Sequence, residues 1–169
     1  MTYSPSLKEI QELAKQGNLV PVYREINADL ETPVTAYMKV ATRPYSFLLE
    51  SVEGGERLAR FSFIGTEPSE VIKTGPGQAH GAVDPLNLVE ESLNRFQLVP
   101  VEGLPRFHGG MVGYLAYDAV SYFEPRVQSP AKDPLGLPEA IFMLTDTLLI
   151  FDHLRQKIQV VSHVYLGDN

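Results

Sequence analysis

Short apolar runs with period-two spacing arrive in pairs along this chain, each pair joined by a turn. Arg60-Phe61-Ser62-Phe63-Ile64 alternates with period two, the spacing of a strand with one buried face. Ser46 to Glu50 precedes it, and Glu53-Gly54-Gly55-Glu56 lies between as a hairpin turn with glycines where positive φ is needed. Leu148 to Asp152 and Ile158 to Tyr165 form a second pair around His153 to Lys157. Tight turns can join only antiparallel strands, because a parallel pair needs a long crossover. The hairpins therefore predict an α+β fold, mainly antiparallel sheets packed as a sandwich with flanking helices, over a doubly wound one.

The remaining elements fit that frame. Asn18 to Tyr23 reads as a strand near an edge, since Pro21 cannot donate to a ladder. Val71 to Lys73 and Ala140 to Asp146 read as further strands. Ser6 with Glu9 is a capping-box pattern ahead of Leu7, Ile10, Leu13 and Ala14, and Gly17 stops that helix. Thr32-Pro33 opens a second helix with Val34, Tyr37 and Met38 as its apolar stripe. Asp84-Pro85 opens a third, with Leu86, Val89, Leu93 and Phe96 on one side. Pro125, Pro130, Pro134 and Pro138 mark residues 125–138 as a surface loop. At 169 residues the expectation is one domain, 1–169.

Composition excludes several function classes. A formal charge of −7 with scattered Lys and Arg argues against a nucleic-acid partner, which requires clustered cations. No apolar run reaches the roughly 20 residues of a membrane helix, and Met-Thr-Tyr-Ser-Pro at the start does not read as a secretory leader. With no cysteine, disulfides and thiolate metal sites are excluded. The expected location is cytoplasmic.

Catalytic patterns are weak. No serine sits in a Gly-x-Ser-x-Gly elbow. His80, His108, His153 and His163 lack metal-ligand spacing and read as surface or loop residues. Gly109, Gly110 and Gly113 lie in an apolar strand without a P-loop lysine, so they point to close backbone packing rather than a phosphate cradle. Asp118 reads as a cap for the segment that follows, and Glu124 as a loop residue. No catalytic residue, cofactor site or metal site is expected in the chain.

Leu48-Leu49-Glu50-Ser51 carries more information. Apolar positions run into a carboxylate and a hydroxyl at a strand end, with Arg60 across the hairpin. A free amino acid needs an apolar wall and a hydrogen-bonding end. A solvated hairpin with a cross-strand Glu50–Arg60 pair accounts for the same residues.

Three ordered stretches resolve part of that choice. They are Pro21-Val22-Tyr23-Arg24-Glu25-Ile26 with Asp29 to Tyr37, the run from Phe47-Leu48-Leu49-Glu50-Ser51 through Phe61-Ser62-Phe63-Ile64-Gly65, and Gly109-Gly110-Met111-Val112-Gly113-Tyr114-Leu115-Ala116-Tyr117-Asp118 with Phe123-Glu124. Leu137 to Ala140 and Phe151-Asp152-His153 follow in order. Together they resemble the N-terminal domain of anthranilate synthase large subunits (component I). The resemblance implies a lyase that converts chorismate to anthranilate and pyruvate in tryptophan biosynthesis. It implies Mg²⁺ and chorismate bound by a C-terminal domain absent from this chain, and ammonia from a glutamine amidotransferase subunit. It also implies a regulatory role here, with Leu49, Glu50, Ser51 and Arg60 in the tryptophan feedback site. The isolated chain is then expected to be inactive and to bind tryptophan weakly or not at all. Aminodeoxychorismate synthase shares parts of these motifs and is the alternative within the resemblance. A stand-alone amino-acid-binding module is the alternative outside it.

Overall fold

A computed structural model describes residues 2–41, 44–50, 60–124, 126–127 and 135–167. The chain divides into two compact units, one formed by residues 1–68, 96–110 and 145–169, the other by 69–95 and 111–144.

The first unit is built on a five-stranded sheet. Its strands are β1 (Leu19–Asn27), β2 (Ser46–Glu50), β3 (Phe61–Thr66), β7 (Thr147–Asp152) and β8 (Lys157–Tyr165), in the order β1-β8-β7-β3-β2. Every neighbouring pair is antiparallel, and β1 lies at an edge, where Pro21 costs the ladder least. The capping box forms before α1 (Leu7–Leu13): Ser6 accepts from the Glu9 N–H, and Glu9 accepts from the Ser6 N–H. Helix α2 (Pro33–Val40) starts from Thr32, with Thr35 closing a second box.

Both faces of the central strands are covered, whereas period-two alternation alone suggests one. On one face Ile64, Phe151 and Ile158 pack with Ala36 of α2. On the other, Leu148, Ile150 and Val161 pack with Phe47, Phe61, Phe63 and Phe107. The buried stripe of α2 is Ala36 with Tyr37 and Val40, not Val34, Tyr37 and Met38; Val34 and Met38 are exposed. A small residue at the contact lets a short helix approach the sheet closely, which a stripe of larger side chains prevents.

The second unit holds a three-stranded sheet of β4 (Glu70–Thr74), β6 (Ala140–Thr145) and β5 (Gly110–Leu115), with β6 in the middle. Strands β4 and β6 are antiparallel. Helix α3 (Pro85–Asn94) is capped by Asp84, whose carboxylate accepts from the Leu86 N–H at 2.9 Å. Its buried positions are Pro85 and Ser92, while Leu86 and Leu93 are exposed. The Ser92 hydroxyl donates to Glu70 of β4 at 2.8 Å, and Arg95 pairs with the same carboxylate. The helix thus turns Pro85, Leu88, Val89 and Ser92 inward, so Val89 of the expected stripe faces in while Leu86 and Leu93 do not.

Gly113 shows what the glycine-bearing strand is for. A Cβ there would lie 1.8 Å from the Ile141 carbonyl oxygen and 2.8 Å from the Phe142 Cα, so β5 and β6 meet backbone to backbone. Asp118 does not cap the segment after it. It sits in the first turn of a 3-10 helix (Tyr117–Tyr122) whose N-cap is Ala116, with no side-chain capping bond. The expected turn at Glu53 to Glu56 and most of the proline-rich loop lie outside the described residues. No helix among the described residues is long and apolar enough to cross a membrane.

Candidate functional site

Strand register sorts the candidate residues. Leu49 faces Phe63 across the β2–β3 pair, and Glu50 faces Ser62. Side chains alternate along a strand, and Phe47 packs with Phe61 and Phe63 while Leu48 packs with Ile64. Leu49 therefore shares the phenylalanine face, where it is 45% exposed, and Glu50 shares the opposite one. Ser51 lies outside the described residues.

Arg60 sends its guanidinium to the phenylalanine face rather than to Glu50. Its guanidinium carbon stands 4.7 Å from the centroid of the Phe61 ring, a cation–π arrangement. Its Nε donates to Asp152 Oδ1 at 3.0 Å and its Nη2 to Oδ2 at 2.6 Å. A cross-strand Glu50–Arg60 pair does not form, because the planar fork of arginine meets a geometrically matched carboxylate at the end of β7. Phe61 faces Asp152 in the β3–β7 register, which brings the pair together. Leu49, Phe63 and Phe61 thus share one face of the sheet, with the Arg60 guanidinium over Phe61 and Glu50 on the opposite face.

Asp152 is the residue that sequence reading missed. It is 5% exposed, and its Oδ1 also accepts from the backbone N–H groups of Leu154 and Arg155 at 3.1 and 3.2 Å. Burial pushes its carboxyl upward in pKa, but the Arg60 hydrogen bonds, the Arg155 and Leu154 N–H groups and the charge of Arg60 outweigh this and hold it below its ordinary value. The same bonds push the Arg60 guanidinium up against a smaller effect of burial. An acid ending an apolar strand before a turn is a legible turn former; its partner 92 residues away is not.

His153, exposed in the β7–β8 turn, and His108, in a loop, fit the surface-or-loop reading, whereas His163 departs from it. The Ser62 hydroxyl, buried in β3, lies 2.7 Å from His153 Nε2. His163 is in β8 and stacks on His108 at 5.3 Å between ring centroids, with the two rings 16° apart. His163 Nδ1 is 2.9 Å from the Asp146 carbonyl, which can only accept. Its Nε2 is then the acceptor for His108 Nδ1–H at 3.1 Å.

This pairing has a pH consequence. Burial, then the neighbouring His163, lower the His108 pKa below its ordinary 6.5. Below that pH the unfolded chain takes up a proton that the folded chain refuses, so stability is lost as pH falls. Urea midpoints at pH 7.5 and pH 5.5 are expected to fall on acidification, and to fall less in His108→Gln. An equal fall in both proteins would remove His108 as the cause.

Among the described residues no three His, Asp or Glu side chains converge as metal ligands. Asp152 is committed to Arg60 and Glu70 to Arg95, so these carboxylates do not suit Mg²⁺. A groove of about 550 Å³ runs along α1 between Lys8, Glu12 and residues 100–102, away from Leu49 and Arg60.

Residues 44–169 match the family model described as "chorismate binding enzyme". The chain is 47% identical over 167 residues to a protein of Schizosaccharomyces pombe named "Probable anthranilate synthase component 1", covering 97% of this chain and 33% of the relative. It is 37% identical over 177 residues to "Anthranilate synthase component 1" of Acetivibrio thermocellus, covering 99% and 36%. Among solved structures, anthranilate synthase component I from Streptococcus pneumoniae TIGR4 matches with a TM-score of 0.53 and 29% identity, over 85% of this chain and 32% of that one. The chain spans about a third of the length of these relatives. With the model matched over residues 44–169 and these relatives aligned along nearly all of its length, the chain belongs to the family of chorismate binding enzymes, homologous to anthranilate synthase component 1.

Proposed function

We propose that the full-length protein is anthranilate synthase component 1 and that this chain contributes its tryptophan feedback site rather than its chemistry. The protein takes chorismate to anthranilate and pyruvate in tryptophan biosynthesis, with ammonia supplied by a glutamine amidotransferase subunit in the cytoplasm. Chorismate and Mg²⁺ bind in a C-terminal domain beyond these residues; when bound, the Mg²⁺ neutralises carboxylate charge on the substrate.

The observation that carries the regulatory role is Arg60, fixed over Phe61 on the sheet face that half-exposed Leu49 shares. Tryptophan carries a carboxylate at one end and a large apolar indole at the other, so its recognition needs a cation and an apolar wall close together. Glu50 on the opposite face and Ser51 complete the proposed set. Inhibition then requires that tryptophan bind one domain arrangement more tightly than the other, because an effector shifts an equilibrium only by its difference in affinity.

Product identity tests the activity. With chorismate, Mg²⁺ and ammonia, the full-length protein is expected to release equimolar blue-fluorescent anthranilate and pyruvate, while residues 1–169 alone release neither. Amination without pyruvate release would instead assign the protein as an aminodeoxychorismate synthase. A native reading frame that stops at Asn169 would make the chain a stand-alone binding module.

A further inference from the structure

We infer that Asp152 is the positioning residue of the proposed effector site: it fixes the Arg60 guanidinium over the Phe61 ring and leaves the Nη1 edge of that group to receive a ligand carboxylate. The inference rests on Arg60 as the cation of the site.

A guanidinium offers five N–H donors and two edges suited to bidentate pairing. The Nε–Nη2 edge is spent on Asp152, and the guanidinium carbon stands over the Phe61 ring. What remains is the Nη1–Nη2 edge, two parallel donors at carboxylate spacing that meet no partner among the described residues. A free arginine would have to give up rotamer freedom on binding. Here that freedom is already lost, so the ligand meets a fixed donor pair.

The anchor itself is rigid. Asp152 lies at the end of β7, paired with Phe61 and Lys157 in register, and two backbone N–H groups of the β7–β8 turn hold its Oδ1. One carboxylate therefore ties the turn to the arginine. The two oxygens are separable, because Asp152→Asn keeps Oδ1 for the Leu154, Arg155 and Arg60 Nε–H donors but sets an amide donor in place of Oδ2 against Arg60 Nη2.

The test has two readouts. In arginine-side-chain ¹H–¹⁵N spectra of residues 1–169, with Arg60→Lys to assign the signal, the Arg60 Nη2–H bonded to Oδ2 is expected to exchange slowly. In Asp152→Asn it should be lost while the Leu154 and Arg155 amides persist. In the full-length protein, the tryptophan concentration for half inhibition is scored against each variant's own uninhibited rate. It should rise at least tenfold in Asp152→Asn and in Arg60→Lys, and the double variant should be no worse than Arg60→Lys alone. A persistent Arg60 Nη2–H signal in Asp152→Asn, or inhibition of that variant within twofold of wild type while Arg60→Lys is weakened, would overturn the positioning role and leave Arg60 in the site. If Arg60→Lys is inhibited like wild type, or tryptophan does not inhibit at all, Arg60 is not an effector ligand and the inference falls with it.

Discussion

Valine at position 113 is expected to destroy the three-stranded sheet. Alanine is already excluded sterically, since its Cβ would lie 1.8 Å from the Ile141 carbonyl oxygen and 2.8 Å from the Phe142 Cα. Those atoms belong to the backbone of the central strand β6 and cannot rotate aside. Relief requires parting β5 from β6, which gives up ladder hydrogen bonds as well as packing. The cost is placed above about 3 kcal/mol, at the severe end of overpacking. Gly113→Val should therefore fail to accumulate as soluble protein or unfold without a cooperative transition. A variant melting within a few degrees of wild type would mean that β5 does not approach β6 as described.

Ile150→Ala is the second large effect, acting in the five-stranded sheet. Ile150 has no exposed surface and packs with Leu148, Val161 and the phenylalanines of the same face. Removing its side chain opens a cavity in a face built of strands whose partners hold it from both sides, so collapse is limited. The expected loss is about 2–5 kcal/mol, read as a lower urea midpoint with unchanged slope. The same substitution at exposed Leu30 should cost little. Equal losses at the two positions would contradict this placement of the core.

Features set by neighbouring residues were legible in the sequence, and those set by distant ones were not. The Ser6–Glu9 box, the Thr32-Pro33 and Asp84-Pro85 helix starts and the hairpin pairs all depend on residues within a few positions. Close packing at Gly113 was also readable, because glycine inside an apolar strand has few other uses. Helix faces were less so. Apolar spacing favoured Leu86 and Leu93, but the inward face is that of Pro85, Leu88, Val89 and Ser92, with Ser92 bonded to Glu70. For the candidate site, Leu49 and Arg60 could be picked out, yet their division from Glu50 depends on strand register. Asp152 holds Arg60 across 92 residues, and His108 meets His163 across 55, separations at which no local pattern reports contact.

The pairing of Arg60 with Asp152 also changes what the hairpin end can do. An arginine paired to Glu50 would be a solvated surface contact of little consequence. Forked onto a buried carboxylate and held over Phe61, it is a fixed donor beside an apolar wall.

Titration of the full-length protein with tryptophan during chorismate turnover tests the central claim most directly. Anthranilate formation should fall as tryptophan rises, and Ser51→Ala should need at least tenfold more tryptophan for half inhibition, measured against its own uninhibited rate. Inhibition of that variant at the wild-type concentration, or no response to tryptophan in either protein, would contradict the claim that this chain carries the feedback site.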